Sequence, residues 1–471
     1  MTVKQDLLRK IPSVDELLNT PKIKALLKDH PRSVVVDKTR TVTDGIRKAI
    51  AKGTDERKAK DMAGKAVIVE RIKREVDEYV RPNLRHVVNA TGVVLHTNLG
   101  RSILADEAVV AVVEAARYYS NLEFDLKKNA RGSRHSHIEE LLVRLTGAEE
   151  AMAVNNNASA VLLALSAIAK GKEVIVSRGQ LVEIGGSFRI PDVMSAGGAK
   201  LKEVGTTNKT YIRDYKNAIT EKTALLMRVH PSNFRVVGFS HEAGLKELVD
   251  LGKETGLPVL DDLGSGVMVD LEKYGITGEP TVQNNVKDGA DLVTFSGDKL
   301  MGGPQAGLIV GSSEFVSRLK KHPMARAVRI DKMTLAAMEA TLRLYLDEKE
   351  AVKRIPTLRM LTERPQSVAR RAKALASEIK TAAGERVDVS VRSDMSKAGG
   401  GSLPLLDLPT TVVCVDPLDM NVNKLEERLR FFDPPILARI SEDKLVFDVR
   451  TIQEGENGLI VKALTDIARN G

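Results

Sequence analysis

The sequence predicts an α/β protein: a parallel sheet with helices on both faces, a small helical domain before it and an α+β domain after it. Three observations predict this. Between residues 85 and 330 short apolar runs alternate with helical patterns, residues 1–80 keep helical spacing, and beyond 335 strand-like and helical segments mix. The chain has 471 residues, 42% of them hydrophobic, which suits about three domains. Their expected bounds are 1–80, 81–335 and 336–471.

In the first segment, "SVDELLNTPKIKALLK" offers Ser13 as an N-cap with Glu16 three residues on, the pattern of a capping box. "TVTDGIRKAIAKG" and "AKDMAGKAVIVERIKREVDEYV" continue with helical spacing, and Arg81-Pro82 breaks it. In the second segment "EEAMAVN", "KEVIVS", "TALLMRVH", "LPVLDDL", "DLVTFSG" and "QAGLIVG" read as strands. "ASAVLLALSAIAKG" and "HEAGLKELVDLGKETG" read as amphipathic helices ended by glycine. In the third, a long helix ("LAAMEATLRLYLDEKEAVK") leads to "TTVVCVDP", "ILARISEDKLVFDV" and "ENGLIVKALTDIARN", with "SKAGGGSLPLLDLPT" as a flexible connection.

Composition narrows the function. The formal net charge is +9, and residues 1–80 hold 19 basic against 13 acidic residues, an excess of six. A solvated helical face explains any one charge run; a basic excess gathered at one end of a chain suits a phosphate backbone. The single cysteine, Cys414, lies in an apolar run, which excludes intrachain disulfides and paired-cysteine metal or redox motifs. It reads as a small core residue, which argues against persulfide chemistry. No stretch approaches the roughly 18 apolar residues of a membrane span, and the start lacks a secretory leader pattern. A cytoplasmic protein without membrane contact is expected.

The chemistry concentrates around "TFSGDKLMGG". Lys299 follows a short buried strand and stands among small residues. A solvated lysine needs no such setting; an amine that must meet a flat aldehyde and lose its proton does. Two further pieces precede it. In "AVNNNASAVLLAL" a strand gives way to a helix at Asn155-Asn156-Asn157-Ala158, where free amides form an anion cup. Ser296 is placed to reach the same anion, and Gly302 and Gly303 let the backbone approach. In "LPVLDDLGSG" Asp262 ends a strand and can keep a pyridine nitrogen protonated, while alternation sends Asp261 to the other face. Each piece has a bland reading as a cap or turn. In this order they describe a pyridoxal 5'-phosphate site held by Lys299, Asn156, Asn157, Ala158, Asp262 and Ser296.

The blocks "LRKIPSVDELL", "NATGVVLHTNLGRS", "RGSRHSHIEELL", "NNNASAVLLAL", "LVEIGGSFRIPDVM", "VGTTN", "HPSNF", "DDLGSG", "TFSGDKLMGGPQAG" and "HPMARAVRIDKMTLAA" carry a resemblance to bacterial L-seryl-tRNA(Sec) selenium transferases, the selenocysteine synthases. It implies a pyridoxal-phosphate fold of type I, like aspartate aminotransferase. It implies conversion of seryl-tRNA(Sec) to selenocysteinyl-tRNA(Sec) with selenophosphate, by β-elimination to a dehydroalanyl intermediate and selenium addition. Lys299 would carry the cofactor and serve as base. An aminoacyl ester has no free carboxylate, so arginines here suit another anion. Arg101, Arg134, Arg326 and Arg329 match the family's motifs for gripping the donor, Asp298 for positioning it, and Thr206 and Thr207 for hydrogen bonding in the same pocket. The resemblance also implies tRNA recognition by the N-terminal helices and a homo-oligomeric ring of dimers, a decamer. Among His86, His96, His135, His137 and His230 no ring-stacking residue stands out, and no metal site is expected. The alternative is a related pyridoxal-phosphate lyase acting on a small molecule, for which the basic helical segment has no evident use.

Overall fold

A computed structural model describes residues 3–53, 55–184, 188–231 and 233–469. Within the quoted blocks Gly185, Gly186, Ser187 and Ser232 lie outside the described residues. The chain divides into two compact units, Met1–His86 and Val87–Gly471.

The first unit is helical, with Val3–Lys10, Val14–Leu18, Pro21–Asp29, Arg32–Ala51, Glu56–Met62 and Lys65–Val80 around a core of Leu17, Ile23, Val35, Ile46, Ile68 and Ile72. The Ser13 hydroxyl accepts from the Glu16 amide at 3.2 Å, the forward half of the expected box. The run expected as one helix after Ser13 is two, because Pro21 has no amide to donate and starts a new first turn.

The second unit is built on a seven-stranded sheet: β1 Glu150–Val154, β2 Glu173–Ser177, β3 Lys200–Val204, β4 Thr223–Val229, β5 Val259–Gly264, β6 Leu292–Ser296 and β7 Gly307–Gly311. Their spatial order is β1-β7-β6-β5-β4-β2-β3. All six predicted strands are present. The missed one, β3, is an edge strand whose sequence "KLKEV" is too polar to register as an apolar run. The sheet is not wholly parallel: β7 runs antiparallel to both neighbours, β6 and β1. A ten-residue turn separates β6 from β7, too short for a crossover helix, so the chain must return antiparallel. Alternation then serves two cores: Leu308 and Val310 of β7 join Val293 and Phe295 on one face, and Ile309 joins Met152, Leu260 and Leu292 on the other. The helix Asn157–Ile168 is not amphipathic as expected but buried on most sides, since it packs inside the second core.

A second sheet takes strands Arg439–Ser441, Lys444–Asp448, Asp407–Pro417, Val387–Gly399 and Val93–Leu95, in that order. Helices Pro365–Ala383 and Glu456–Arg469 share its core through Val368, Leu375, Ile460 and Leu464. The long helix expected after residue 335 is broken into Lys332–Leu344 and Glu348–Arg354. Residues 93–95 pair here with Lys397 and Gly399, and residues 88–89 pair with Ile436–Leu437 in a small sheet of their own, although both precede the large sheet in sequence. Gly92 shows why that block is so particular: φ is +80°, and a Cβ would lie 2.2 Å from Asp448 Oδ2. Cys414 is buried in the strand Asp407–Pro417, and burial pushes its thiol up.

Candidate active site

Strands β1, β2, β4, β5 and β6 all end at one edge of the sheet, where ligand-binding loops collect in α/β folds. The turn after β6 carries Gly297-Asp298-Lys299. It closes on itself, the Gly297 amide donating to Ala306 O at 2.9 Å and the Gly303 amide to Gly297 O at 2.8 Å. Gly297 has no room for a side chain: a Cβ would be 2.5 Å from Met338 Cε and from the Pro304 carbonyl. Gly302 sits at φ +73°, packed on Ile355, so it makes the turn rather than opening a path for a ligand. Ser102 Oγ donates to the carbonyl of Asp298 or of Lys299, each 2.9 Å away, and fixes the turn from outside.

Lys299 is 4% exposed. Burial pulls its ammonium below the usual lysine range, helped by the nearby Arg101 charge and opposed by Asp262, Asp298 and Glu279. Asp262, at the end of β5, accepts from Asn157 Nδ2 at 2.8 Å and from Thr294 Oγ1 at 3.1 Å, both on Oδ1. Burial pushes this carboxyl up, while the two hydrogen bonds and the Lys299 charge work against that. Asp261 faces the other way, bound to Arg228 Nη1 at 3.0 Å and Asn285 Nδ2 at 2.5 Å, as strand alternation requires.

The three asparagines divide the work. Asn155 donates its amide to Val328 O at 2.9 Å. Asn156 caps the helix, its side chain accepting from Ser159 N at 2.8 Å. Asn157 turns its side chain to Asp262 instead of toward an anion. The amides of Asn157 and Ala158, at the first two helical positions, have no carbonyl within the helix to meet. Ser296 ends β6 and is buried.

The predicted arginines have different surroundings. Arg101, held at φ +63°, pairs with Asp298 Oδ2 at 2.8 Å, so these two form a unit beside Lys299. Such a backbone conformation in a non-glycine residue persists only where the surroundings impose it. Arg134 is not free to grip an anion: it is 9% exposed, pairs with Glu123 and donates to Ile330 O at 2.5 Å. Its effect is to fix residues 328–330, which also bond to the end of β1 through the Val154–Arg329 bridge and the Asn155 amide. Arg326 and Arg329 are exposed on this anchored segment. Thr206 and Thr207 follow β3, four strand positions from β6, roughly 19 Å away at usual strand spacing. They line a separate cavity of about 190 Å³ with Gln180, Arg235 and His241, so the expectation of a pocket shared with Lys299 is not met within one chain.

Sequence reasoning missed Thr294, Ser102 and Glu279. Thr294 was findable, lying on the same side of β6 as Ser296, two residues away. Glu279 sits in a loop whose sequence carries no signal. Of the histidines, His230 is the one whose amide donates to Asp262 O, at 2.9 Å. His135 is held down to about 4, mainly by burial and further by the charges of Lys320 and Arg134, so it stays neutral.

The donor set fits pyridoxal 5'-phosphate. A buried amine whose proton affinity burial lowers, a buried carboxylate without a full counter-charge, and a helix N-terminus converge at one edge, and Asn157 Oδ1 and Ser265 Oγ are buried without a protein partner among the described residues.

Comparison with known proteins agrees over nearly the whole chain. The family pattern described as L-seryl-tRNA selenium transferase matches residues 87–453, and that of the selenocysteine synthase N terminal region matches 8–47. L-seryl-tRNA(Sec) selenium transferases from Geobacter metallireducens, Geobacter sulfurreducens and Alkaliphilus metalliredigens are 53%, 52% and 50% identical, each match covering 98% of this chain and 99% of the relative. Among solved structures, a D-glucosaminate-6-phosphate ammonia-lyase superposes with TM-score 0.57 and 23% identity, covering 84% of this chain and 98% of that one, a likeness of fold. A match of this length and identity means that the chain belongs to the L-seryl-tRNA selenium transferase family, enzymes that work with pyridoxal phosphate.

Proposed function

We propose that this protein converts L-seryl-tRNA(Sec) to L-selenocysteinyl-tRNA(Sec) in the cytoplasm, with selenophosphate as donor and pyridoxal phosphate on Lys299. The observation that carries the reading is the Lys299 amine, buried and pulled below the usual lysine range, in one cluster with Asp262. When bound, the cofactor supplies an electron sink for the seryl Cα.

The chain's own residues do the rest. Lys299 would hold the cofactor covalently, and its amine, once released, takes the seryl Cα proton and later returns it. Asp262, fixed by Asn157 and Thr294, would hold the ring nitrogen's proton, whose positive charge supplies what this buried carboxylate lacks. The Asn157 and Ala158 amides, the Asn156 cap and Ser296 would hold the phosphate. Arg101 and Asp298 would orient the donor beside Lys299, and Arg326 and Arg329 would bind its phosphate oxygens as guanidinium forks. Arg134 acts through the segment it anchors.

The six-charge basic excess of residues 1–80 supports tRNA binding by that helical domain, with 81–335 and 336–471 as the cofactor-binding and small domains. Exposed Tyr118, Tyr119 and Leu126 line a groove of about 900 Å³ with helices Asp106–Arg117 and Lys332–Leu344, an apolar surface that supports a homo-oligomer. No helix among the described residues is long and apolar enough to cross a membrane. The decisive experiment supplies purified protein with seryl-tRNA(Sec) and selenophosphate, then fixes the cofactor with borohydride and maps the peptide. Selenocysteinyl-tRNA and an adduct on Lys299 are expected. Turnover of free serine in place of the charged tRNA would refute the reading.

A further inference from the structure

Glu279 has no part in the chemistry above, yet its side chain is only 1% exposed. It lies in the loop between the turn Leu271–Tyr274 and the helix Val282–Lys287. Its Oε2 accepts from His230 Nε2 at 3.3 Å, and the His230 side chain is 6% exposed. The remaining polar atoms of the pair, His230 Nδ1 and Glu279 Oε1, are buried with no protein partner among the described residues. Leaving such atoms unpaired costs about 1–3 kcal/mol per group, so a protein that keeps two together has a use for them.

Their location indicates the use. His230 directly follows β4, where Val229 is in register with Asp262, and its amide donates to the Asp262 carbonyl at 2.9 Å. The charges that act on the Lys299 amine come from four places: Arg101 from the loop after Thr97–Leu99, Asp298 from the same turn, Asp262 from β5 and Glu279 from its loop, where His230 is bonded to it. Two of these carboxylates are already engaged, Asp298 by Arg101 and Asp262 by Asn157 and Thr294. Arg235 approaches the Glu279 loop but donates to the Gly278 carbonyl, at 2.9 Å, rather than to the carboxylate. Glu279 Oε1 is left buried with no protein partner among the described residues.

We propose that His230 and Glu279 form a positioning pair in which Glu279 sets the charge balance at the Lys299 amine and His230 holds that carboxylate in place. Burial and Arg101 drive the amine toward its neutral form, and Glu279 opposes them, as the direction of its influence on Lys299 indicates. The amine must be neutral to bond the cofactor and to take a proton, and protonated to return one. A third carboxylate favours the protonated state that burial and Arg101 disfavour.

This inference rests on the cofactor being carried by Lys299, and the test separates the two. Full-length protein is reconstituted with pyridoxal phosphate, and the absorbance of the bound cofactor is titrated from about pH 6 to 10. Glu279→Gln removes the charge at nearly constant shape, so the midpoint should fall by about one unit, a tenfold shift in proton affinity. Glu279→Asp keeps the charge and should recover at least half of that shift. His230→Gln keeps a donor to Glu279 and should titrate like the parent, whereas His230→Leu should shift in the direction of Glu279→Gln. These two variants decide the matter if Glu279→Gln fails to fold. An unmoved midpoint in folded, cofactor-bound Glu279→Gln, or identical titrations for His230→Gln and His230→Leu, would overturn the proposal. If borohydride mapping of the parent finds no adduct at Lys299, the reading of the site falls and this inference with it; an adduct with unmoved midpoints sinks the inference alone.

Discussion

At the scale of single residues, the site holds two charges in a place that disfavours both. The folded protein lowers the lysine's proton affinity and raises that of Asp262, chiefly by burial in each case. For Lys299 the sign follows directly. Below its folded value the buried ammonium destabilises the protein; the penalty fades as pH rises through that value toward the unfolded one, because the unfolded chain then binds more protons. Replacing the amine by an apolar chain of similar length should relieve it. Lys299→Met is therefore expected to raise the stability of cofactor-free protein by about 1 kcal/mol at neutral pH and less at high pH. Chemical denaturation at several pH values checks this, and a loss of stability at pH 7 would contradict it. The same variant should bind no cofactor covalently. Lys299 and Asp262 were legible because a lysine among glycines and an aspartate at a strand end leave local marks. Thr206 and Thr207 were placed in this pocket by resemblance alone, and one chain does not bring them there.

At the scale of elements, the proposed anion cup depends on close contact between β7 and the start of the helix Asn157–Ile168. A Cβ on Gly307 would lie 2.1 Å from the Asn156 carbonyl oxygen and 2.9 Å from the Asn157 amide. Gly307→Ala must push the helix N-terminus off the sheet edge or bend β7. A loss of roughly 1–3 kcal/mol is expected, with pyridoxal phosphate binding weakened more than the fold. Thermal unfolding and cofactor titration measure the two effects separately; cofactor affinity equal to the parent's would show that the cup does not need this contact. Strands with unbroken apolar runs were readable from sequence, and β3 was not, because an edge strand of alternating lysine and apolar residues matches no buried template. The direction of β7 was equally hidden, since periodicity reports which face a side chain takes and not which way its strand runs.

At the scale of the whole molecule, the division Met1–His86 and Val87–Gly471 gives each part its own core. A protein of residues 87–471 is expected to fold and keep the cofactor absorbance but to lose affinity for seryl-tRNA(Sec) about tenfold or more, some 1.4 kcal/mol. Filter binding at two salt concentrations reads this. The intact protein should show a steeper salt dependence, because basic residues displace counterions from the RNA; unchanged affinity would reassign the helical domain. By itself the sequence determined the class of fold and the family, and it singled out the lysine and aspartate of the candidate site, since these rest on local patterns and long motif blocks. Only the tertiary structure decided that Arg134 is tied to Glu123, that Asn157 serves Asp262, and that residues 93–95 complete the second sheet. It also brought His230 and Glu279 together from 49 positions apart. Each of these is a contact between segments remote in sequence, fixed by how strands and loops pack, and no local pattern of residues encodes it.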